Sequence, residues 1–301
     1  MIQGIIAAVM SSILSGIVPT FQKQIVSDGL PLFSMMLFNC GTIELCTFVI
    51  AKLRGHSLRI SRKQLLQALT IGPLGTFLIT ALLNFSYQYM SVGMATMIYN
   101  FYPTVTCILM AIVFKQGLTK LKVAAIAVSL AGMVCLTGRG GNLAPIGIIL
   151  ALAAALFYSI YLVGNDKGSL NELPLEVKMF YTSLPSLVIV SITATATHNL
   201  ALPATPAAWI QILFCSVMGA MVGGFLLLFG IQKLGATTAS FLTILNPIVS
   251  VVVSTIWFHD EVTVNMVIGS VLILSSVCLI TLDNARKGKA PQGEPLPTEG
   301  G

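Results

Sequence analysis

Charge is the scarcest property of this 301-residue sequence, with Asp, Glu, Lys and Arg making up 9% of it. Soluble globular chains carry about 25% charged residues, so a soluble globular domain is excluded. Acidic residues are scarcer still, 10 against 16 basic ones. Histidine occurs three times, at His56, His198 and His259, each in a polar break between apolar runs. An intramembrane enzyme needs a convergent His/Asp/Ser or metal cluster at depth, and these positions argue against one. The six cysteines, Cys40, Cys46, Cys107, Cys135, Cys215 and Cys278, all lie in apolar runs and form no C-x-x-C pair. They read as small packing residues, without a disulfide framework or zinc site. No strand or soluble domain is present to hold a Gly-rich phosphate cradle, and no cofactor is expected. The first apolar run lacks a basic n-region, so no cleavable signal peptide is expected.

What the sequence has is apolar length. It is 56% hydrophobic, with a mean hydropathy of +0.92. That composition calls for an all-α polytopic membrane protein. Runs near twenty residues fall at 3–26, 31–51, 65–89, 92–114, 121–138, 145–164, 177–197, 209–230, 236–258 and 264–283. Ten transmembrane helices are therefore expected. The net charge of +6 sits between spans, where it signals topology rather than nucleic-acid binding. With the N-terminus inside, 14 of the 16 basic residues are cytoplasmic, and Lys23 and Arg139 are not. Both termini are then cytoplasmic, in a multi-pass protein of the cell membrane. Residues 285–301, rich in Gly, Pro and charge, read as a disordered cytoplasmic tail that touches anionic lipid.

The chain also matches itself at a shift of 144 residues. Phe85 falls on Phe229, Gln88 on Gln232, Ala95 on Ala239, Pro103 on Pro247, Phe114 on Phe258, Thr119 on Thr263 and Thr137 on Thr281. The copies occupy 1–142 and 143–284, five helices each. An odd number of helices inverts the second copy. The loops agree: Lys115 to Lys122 is basic, whereas its equivalent, His259-Asp260-Glu261, is acidic. Opposite charge bias on similar sequence marks two inverted five-helix repeats, a plan common among secondary transporters.

Polar side chains within spans need a reason, because lipid offers them no partner. Thr96, Tyr99, Tyr102 and Thr106 recur at helical spacing, and Ser240, Thr243, Asn246 and Ser250 occupy the equivalent places at +144. These stripes are expected to line a shared cavity, with Pro103 and Pro247 beside them freeing backbone carbonyls. The alternative is that the hydroxyls bond back to their own helices and the prolines only kink them. Tyr158 and Tyr161 form a second candidate pair, with Ser12, Ser15 and Pro19 as rough counterparts. Asn39 and Asn84 are deep amides suited to interhelical hydrogen bonds. Glu44 is the carboxylate well inside a span. It reads either as a proton carrier or as the partner of Lys52 or Arg54. Lys23 and Lys167 end the first and sixth spans, and snorkelling is their ordinary role. No Lys or Arg lies at mid-depth, which favours a neutral or zwitterionic solute over a multiply anionic one. Gly219-x-x-x-Gly223 reads as a small-residue packing face.

The segments Gly93-Met-Ala-Thr through Tyr102-Pro103 to Thr137, and Ala236-Thr-Thr-Ala-Ser through Asn246-Pro247 to Thr281, resemble the two repeats of the drug/metabolite transporter superfamily. The resemblance is to its ten-helix EamA-type branch. Phe258-His-Asp-Glu261 keeps that branch's acidic turn, whereas Phe114-Lys-Gln-Gly117 lacks the acid. The first span carries no glutamate, unlike the small four-helix drug exporters of the superfamily. The resemblance implies a transporter of a small metabolite but not which one, because the family moves amino acids, sugars, nucleotide precursors, vitamins and drugs; an amino-acid-like or similar neutral solute, moved in the export direction, is the expectation. Another metabolite, a vitamin or a drug, proton-coupled or uncoupled, is the alternative cargo. A non-transporting scaffold is opposed by the matched polar stripes. The expected partners are a small-molecule solute and membrane lipid, in a monomer or homodimer.

Overall fold

A computed structural model describes residues 2–113, 115, 119–137, 144–223, 226, 229, 245–259 and 262–288. Among these, all regular secondary structure is helical. The first repeat contains α1 (Ile2–Ser27), α2 (Leu32–Leu53), α3 (Arg62–Pro73), α4 (Ile79–Ser86), α5 (Val92–Tyr99), α6 (Tyr102–Val113) and α7 (Lys120–Thr137). The second contains α8 (Pro145–Lys167), α9 (Leu175–Ala196), α10 (Pro206–Leu213), α11 (Leu245–Phe258) and α12 (Val264–Gly288). Helix α12 therefore runs into the expected tail as far as Gly288, and the rest of the tail lies outside the described residues.

Local chemistry sets the ends. The Ser61 side chain accepts from Gln64 N while Gln64 reaches back to Ser61 N, a capping box that starts α3. Thr205, at +144, caps α10 by accepting from Ala208 N at 3.2 Å. Gly55 (φ 69°) ends α2 in the left-handed region, where the missing Cβ removes a steric penalty.

Two expected spans are not regular helices. Between α3 and α4 the chain makes a π-helical segment, Leu74–Leu78, and after α10 it makes another, Phe214–Val222. The first falls on 218–222 at +144, so the irregularity is itself repeated. The expected span 92–114 is interrupted, because Asn100 and Phe101 break it into α5 and α6.

Burial runs opposite to that of a soluble protein. Small and hydroxylated residues are fully buried, among them Ala8, Ala151, Ala154, Ala155, Ser159, Thr47 and Ser129. Large aliphatics such as Leu45, Ile112, Ile192, Ile210 and Ile256 point outward and are 63–71% exposed. Small interior faces let helices approach closely where lipid removes the hydrophobic drive for association. Five of the apolar helical stretches are at least 18 residues long and can cross a membrane. The chain is a multi-pass membrane protein.

Packing exchanges partners between the halves. Helix α2 lies along α9, and α7 lies along α12. Helix α1 packs on α11 as α8 packs on α6, and α3 packs on α9 as α2 packs on the π segment after α10. The α7–α12 crossing is close enough that a Cβ on Gly132 would lie 2.9 Å from Gly269 O.

Candidate functional site

The break in the fourth span positions the site. Pro103 has no N–H to give to Tyr99 O, and Thr104 N turns to Phe101 O at 3.0 Å. Asn100 supports the end of α5 by donating from Nδ2 to Thr96 O at 2.7 Å. Ser159 on α8 donates to Tyr102 O at 2.9 Å, tying the break to the second repeat. Pro103 thus sits in the first turn of α6 and starts a helix, where the sequence led us to expect a proline part-way along one.

Around this break four tyrosines from both repeats meet. Tyr99 and Tyr102 lie 5.5 Å apart between ring centroids, and Tyr158 on α8 lies 5.5 Å from Tyr99 and 4.8 Å from Tyr102. Tyr161 stacks on Tyr158 at 6.1 Å. All four are half-buried. Edge-on and tilted rings at these distances attract each other and still offer faces to a ligand. Tyr161 keeps its place because Gly75, in the first π segment, leaves room that any Cβ would fill.

The remaining stripe residues are distributed differently. Thr96 is buried and shares a hydrogen bond with the Tyr87 hydroxyl. Ser250 Oγ donates to Thr96 Oγ1 at 3.2 Å, so these two stripe residues, one from each repeat, clasp the repeats together inside the protein. Thr106 bonds back to Tyr102 O at 2.9 Å. Asn246 is half-buried at the start of α11, and its carbonyl lies against Gly16 of α1, whose missing Cβ makes the approach possible. Pro247 is buried in the same turn. Ser240 and Thr243 lie outside the described residues.

A cavity of about 290 Å³ lies between α1, α2 and the two π segments, lined among others by Ser15, Gln22, Asn39, Thr76 and Thr80. Asn39 accepts there from Ser216 Oγ, an interhelical bond as expected. Asn84 bonds within its own helix, donating to Thr80 O at 2.9 Å. Glu44, one turn beyond Cys40 on α2, is buried and accepts from Ser183 Oγ of α9, while its Oε1 has no partner among the described residues.

Arg54 and Lys52, the expected partners of Glu44, are engaged elsewhere. Arg54 Nη1 lies 3.5 Å from Glu176 Oε1, and His56 Nδ1 lies 2.8 Å from the same oxygen. Glu176 is 2% exposed and escaped sequence reading because it stands at a predicted span edge. Lys52 lies over the Phe48 ring at 5.8 Å, and Lys23 over Phe258 at 4.7 Å. Gly219 abuts Val18 with no space for a Cβ, and Gly223 O accepts from Ser11 Oγ at 2.6 Å, so this pair is a packing face.

The profile of the EamA-like transporter family matches twice, over residues 2–138 and 145–282. A Bacillus subtilis protein named "Uncharacterized transporter YvbV" is 27% identical over 228 residues, covering 71% of this chain and 74% of the relative. A second B. subtilis relative, "Uncharacterized transporter YxxF", is 24% identical over 295 residues, 95% of this chain and 91% of its own. A Clostridium kluyveri transporter shares 23% identity over 80% of this chain and 79% of its own. One solved crystal structure superposes with a TM-score of 0.66 over 94% of this chain and 99% of that chain. At 17% identity it shows a shared fold.

Proposed function

This chain belongs to the EamA-like transporter family, and from that premise we propose that it is a secondary transporter working by alternating access between two inverted five-helix repeats. In this reading ten helices cross the cell membrane, and both termini are cytoplasmic. The cargo is a small neutral or zwitterionic metabolite, amino-acid-like, moved outward. The observation that carries this reading is the group of Tyr99, Tyr102, Tyr158 and Tyr161, drawn from both repeats and seated at the helix break. A ligand held between repeats is one that their relative motion releases to the other side. Tyrosine faces attract an ammonium group and pack against an apolar side chain. Carbonyls left without a helical donor near Pro103 supply further acceptors. Repeat equivalence assigns the opposing wall to Asn246, Thr243 and Ser240, while Thr96, bonded to Ser250, braces the repeats. Glu44, with one oxygen unpartnered among the described residues, is the coupling site for a proton.

The test is ligand-induced stabilisation of the purified protein across amino acids, sugars, vitamins and organic cations. A ligand at 100 times its Kd stabilises by about 2.7 kcal/mol. An amino-acid-like compound should raise the melting temperature of the parent and not of Tyr99→Ala. Tyr99→Phe, which keeps the ring, should retain most of the shift. Equal stabilisation of Tyr99→Ala and parent would remove the tyrosines from the binding site.

A further inference from the structure

Equivalent positions in the two repeats carry the same residue at Gln67 and Gln211, 144 apart, in α3 and α10. The register is fixed by neighbours: both helices are capped by a hydroxyl, at Ser61 and Thr205, and both run into a π segment. The two glutamines are nevertheless in opposite states. Gln67 is saturated. Its Nε2 donates to Gly164 O at 2.6 Å, and its Oε1 accepts from Ser169 Oγ at 2.9 Å and from Leu170 N at 3.3 Å. Gln211 Oε1 is buried and has no hydrogen-bond partner among the described residues. A buried amide oxygen without a donor costs free energy, and it persists only where something else depends on it.

The asymmetry has a backbone cause. Between α1 and α8 the register is 143, because Gly16 meets Asn246 O as Ser159 meets Tyr102 O. Gly75 meets Tyr161 as Gly219 meets Val18, in the same register. Gln67's three partners, Gly164, Ser169 and Leu170, thus correspond to Phe21, Val26 and Ser27 for Gln211. Helix α8 stops at Lys167, Gly168 is extended, and a 3₁₀ turn at Ser169–Glu172 turns the Leu170 N–H toward Gln67. Helix α1 instead runs unbroken to Ser27, so the equivalent N–H stays inside the helix.

The end of the molecule that bears Gln67 is otherwise tied across the repeats. Gln64 Nε2 donates to Ser169 O at 3.3 Å, Tyr181 donates to Leu58 O at 2.6 Å, and Glu176 meets Arg54 and His56. At the opposite end the equivalent loop is held through Ser34, which donates to Asn199 O at 2.5 Å and accepts from Ala201 N at 3.0 Å.

We infer that Gln67 and Gln211 are a pair of alternating latches, each locking one end of the transporter shut by bonding the unwound end of the partner repeat's first helix. The inference rests on the alternating-access reading above and adds its gating residues. In the conformation described here the Gln67 latch is made and the Gln211 latch is open. In the other conformation the last turn of α1 unwinds near Ser27 and donates to Gln211, while α8 extends and releases Gln67. Inverted repeats reach their second state by exchanging conformations, so a bond present in one copy is expected in the other.

The experiment uses the full chain in oriented membrane vesicles, with the six native cysteines replaced and Thr76→Cys as reporter. Thr76 lines the cavity beside the first π segment. An impermeant thiol reagent is applied from either side. The parent should react faster from the Asn199 side than from the Arg54 side. Gln67→Leu should raise the rate from the Arg54 side on the order of tenfold, the effect of losing one or two buried hydrogen bonds. Ser169→Ala, a milder change in case Gln67→Leu folds poorly, should shift the rate in the same direction by a smaller factor. Gln211→Leu should lower the rate from the Arg54 side without loss of thermal stability, because it weakens the competing state alone. A structural role for these residues would lower stability without moving sidedness. If the parent labels from both sides and neither glutamine variant changes the ratio, the latch is overturned and alternating access stands. Labelling from one side in every variant would overturn both.

Discussion

At Glu44 one carboxylate oxygen is served by Ser183 and the other by nothing among the described residues. An amide at this position still accepts from Ser183 and brings its own donor to the orphan side. Glu44→Gln should therefore fold to the parent's yield. If the carboxylate carries the coupled proton, pH-driven transport is lost while solute exchange at fixed pH survives. Unchanged pH-driven transport in vesicles would dismiss the coupling role. Ser183→Ala strips the remaining partner from the same carboxylate. Leaving a buried acceptor unsatisfied costs about 1–3 kcal/mol, read as a lower melting temperature in detergent. Together the two variants separate the proton's role from the packing role of one buried group.

Among the helical elements, the first π segment packs directly against one of the tyrosines. The π segment Leu74–Leu78 contains Gly75, and a Cβ there would enter the space of the Tyr161 ring. Gly132, in the regular helix α7, also lacks room for a Cβ, which would lie 2.9 Å from Gly269 and Leu272, but it is far in sequence from the tyrosines. Overpacking costs about 1–3 kcal/mol at either place. Gly75→Leu should lower stability and also abolish ligand-induced stabilisation, since Tyr161 and then Tyr158 are displaced. Gly132→Leu should lower stability and leave the ligand shift intact. Matching losses of ligand response in both variants would mean that the tyrosines report general packing.

For the molecule as a whole, the pairing of α2 with α9 and of α7 with α12 is what a two-fold axis in the membrane plane would produce. Topology tests it directly. Ser57 and Asn199 are exposed residues in loops that correspond between the repeats. Cysteines placed at each, in a background without the native six, should label from opposite sides of the membrane. Labelling from one side would exclude inversion of the second repeat.

Composition and repetition decided much of this protein before any coordinates. Scarce charge and long apolar runs leave only helices able to satisfy their backbones in lipid, and the 144-residue match placed Pro103 with Pro247 and Thr106 with Ser250. Tertiary structure decided the partners. The residues bonded to Glu44 and Arg54 lie 139 and 122 positions away in the chain. Tyr158 and Tyr161 join Tyr99 and Tyr102 because α8 crosses the break between α5 and α6. The expected lining residue Thr96 is instead buried and turned inward to Ser250, which is not its equivalent in the other repeat. The physical reason is that lipid accepts an apolar side chain on every face of a helix. Hydropathy then marks a span without saying which side looks inward, and close packing around small residues makes that choice.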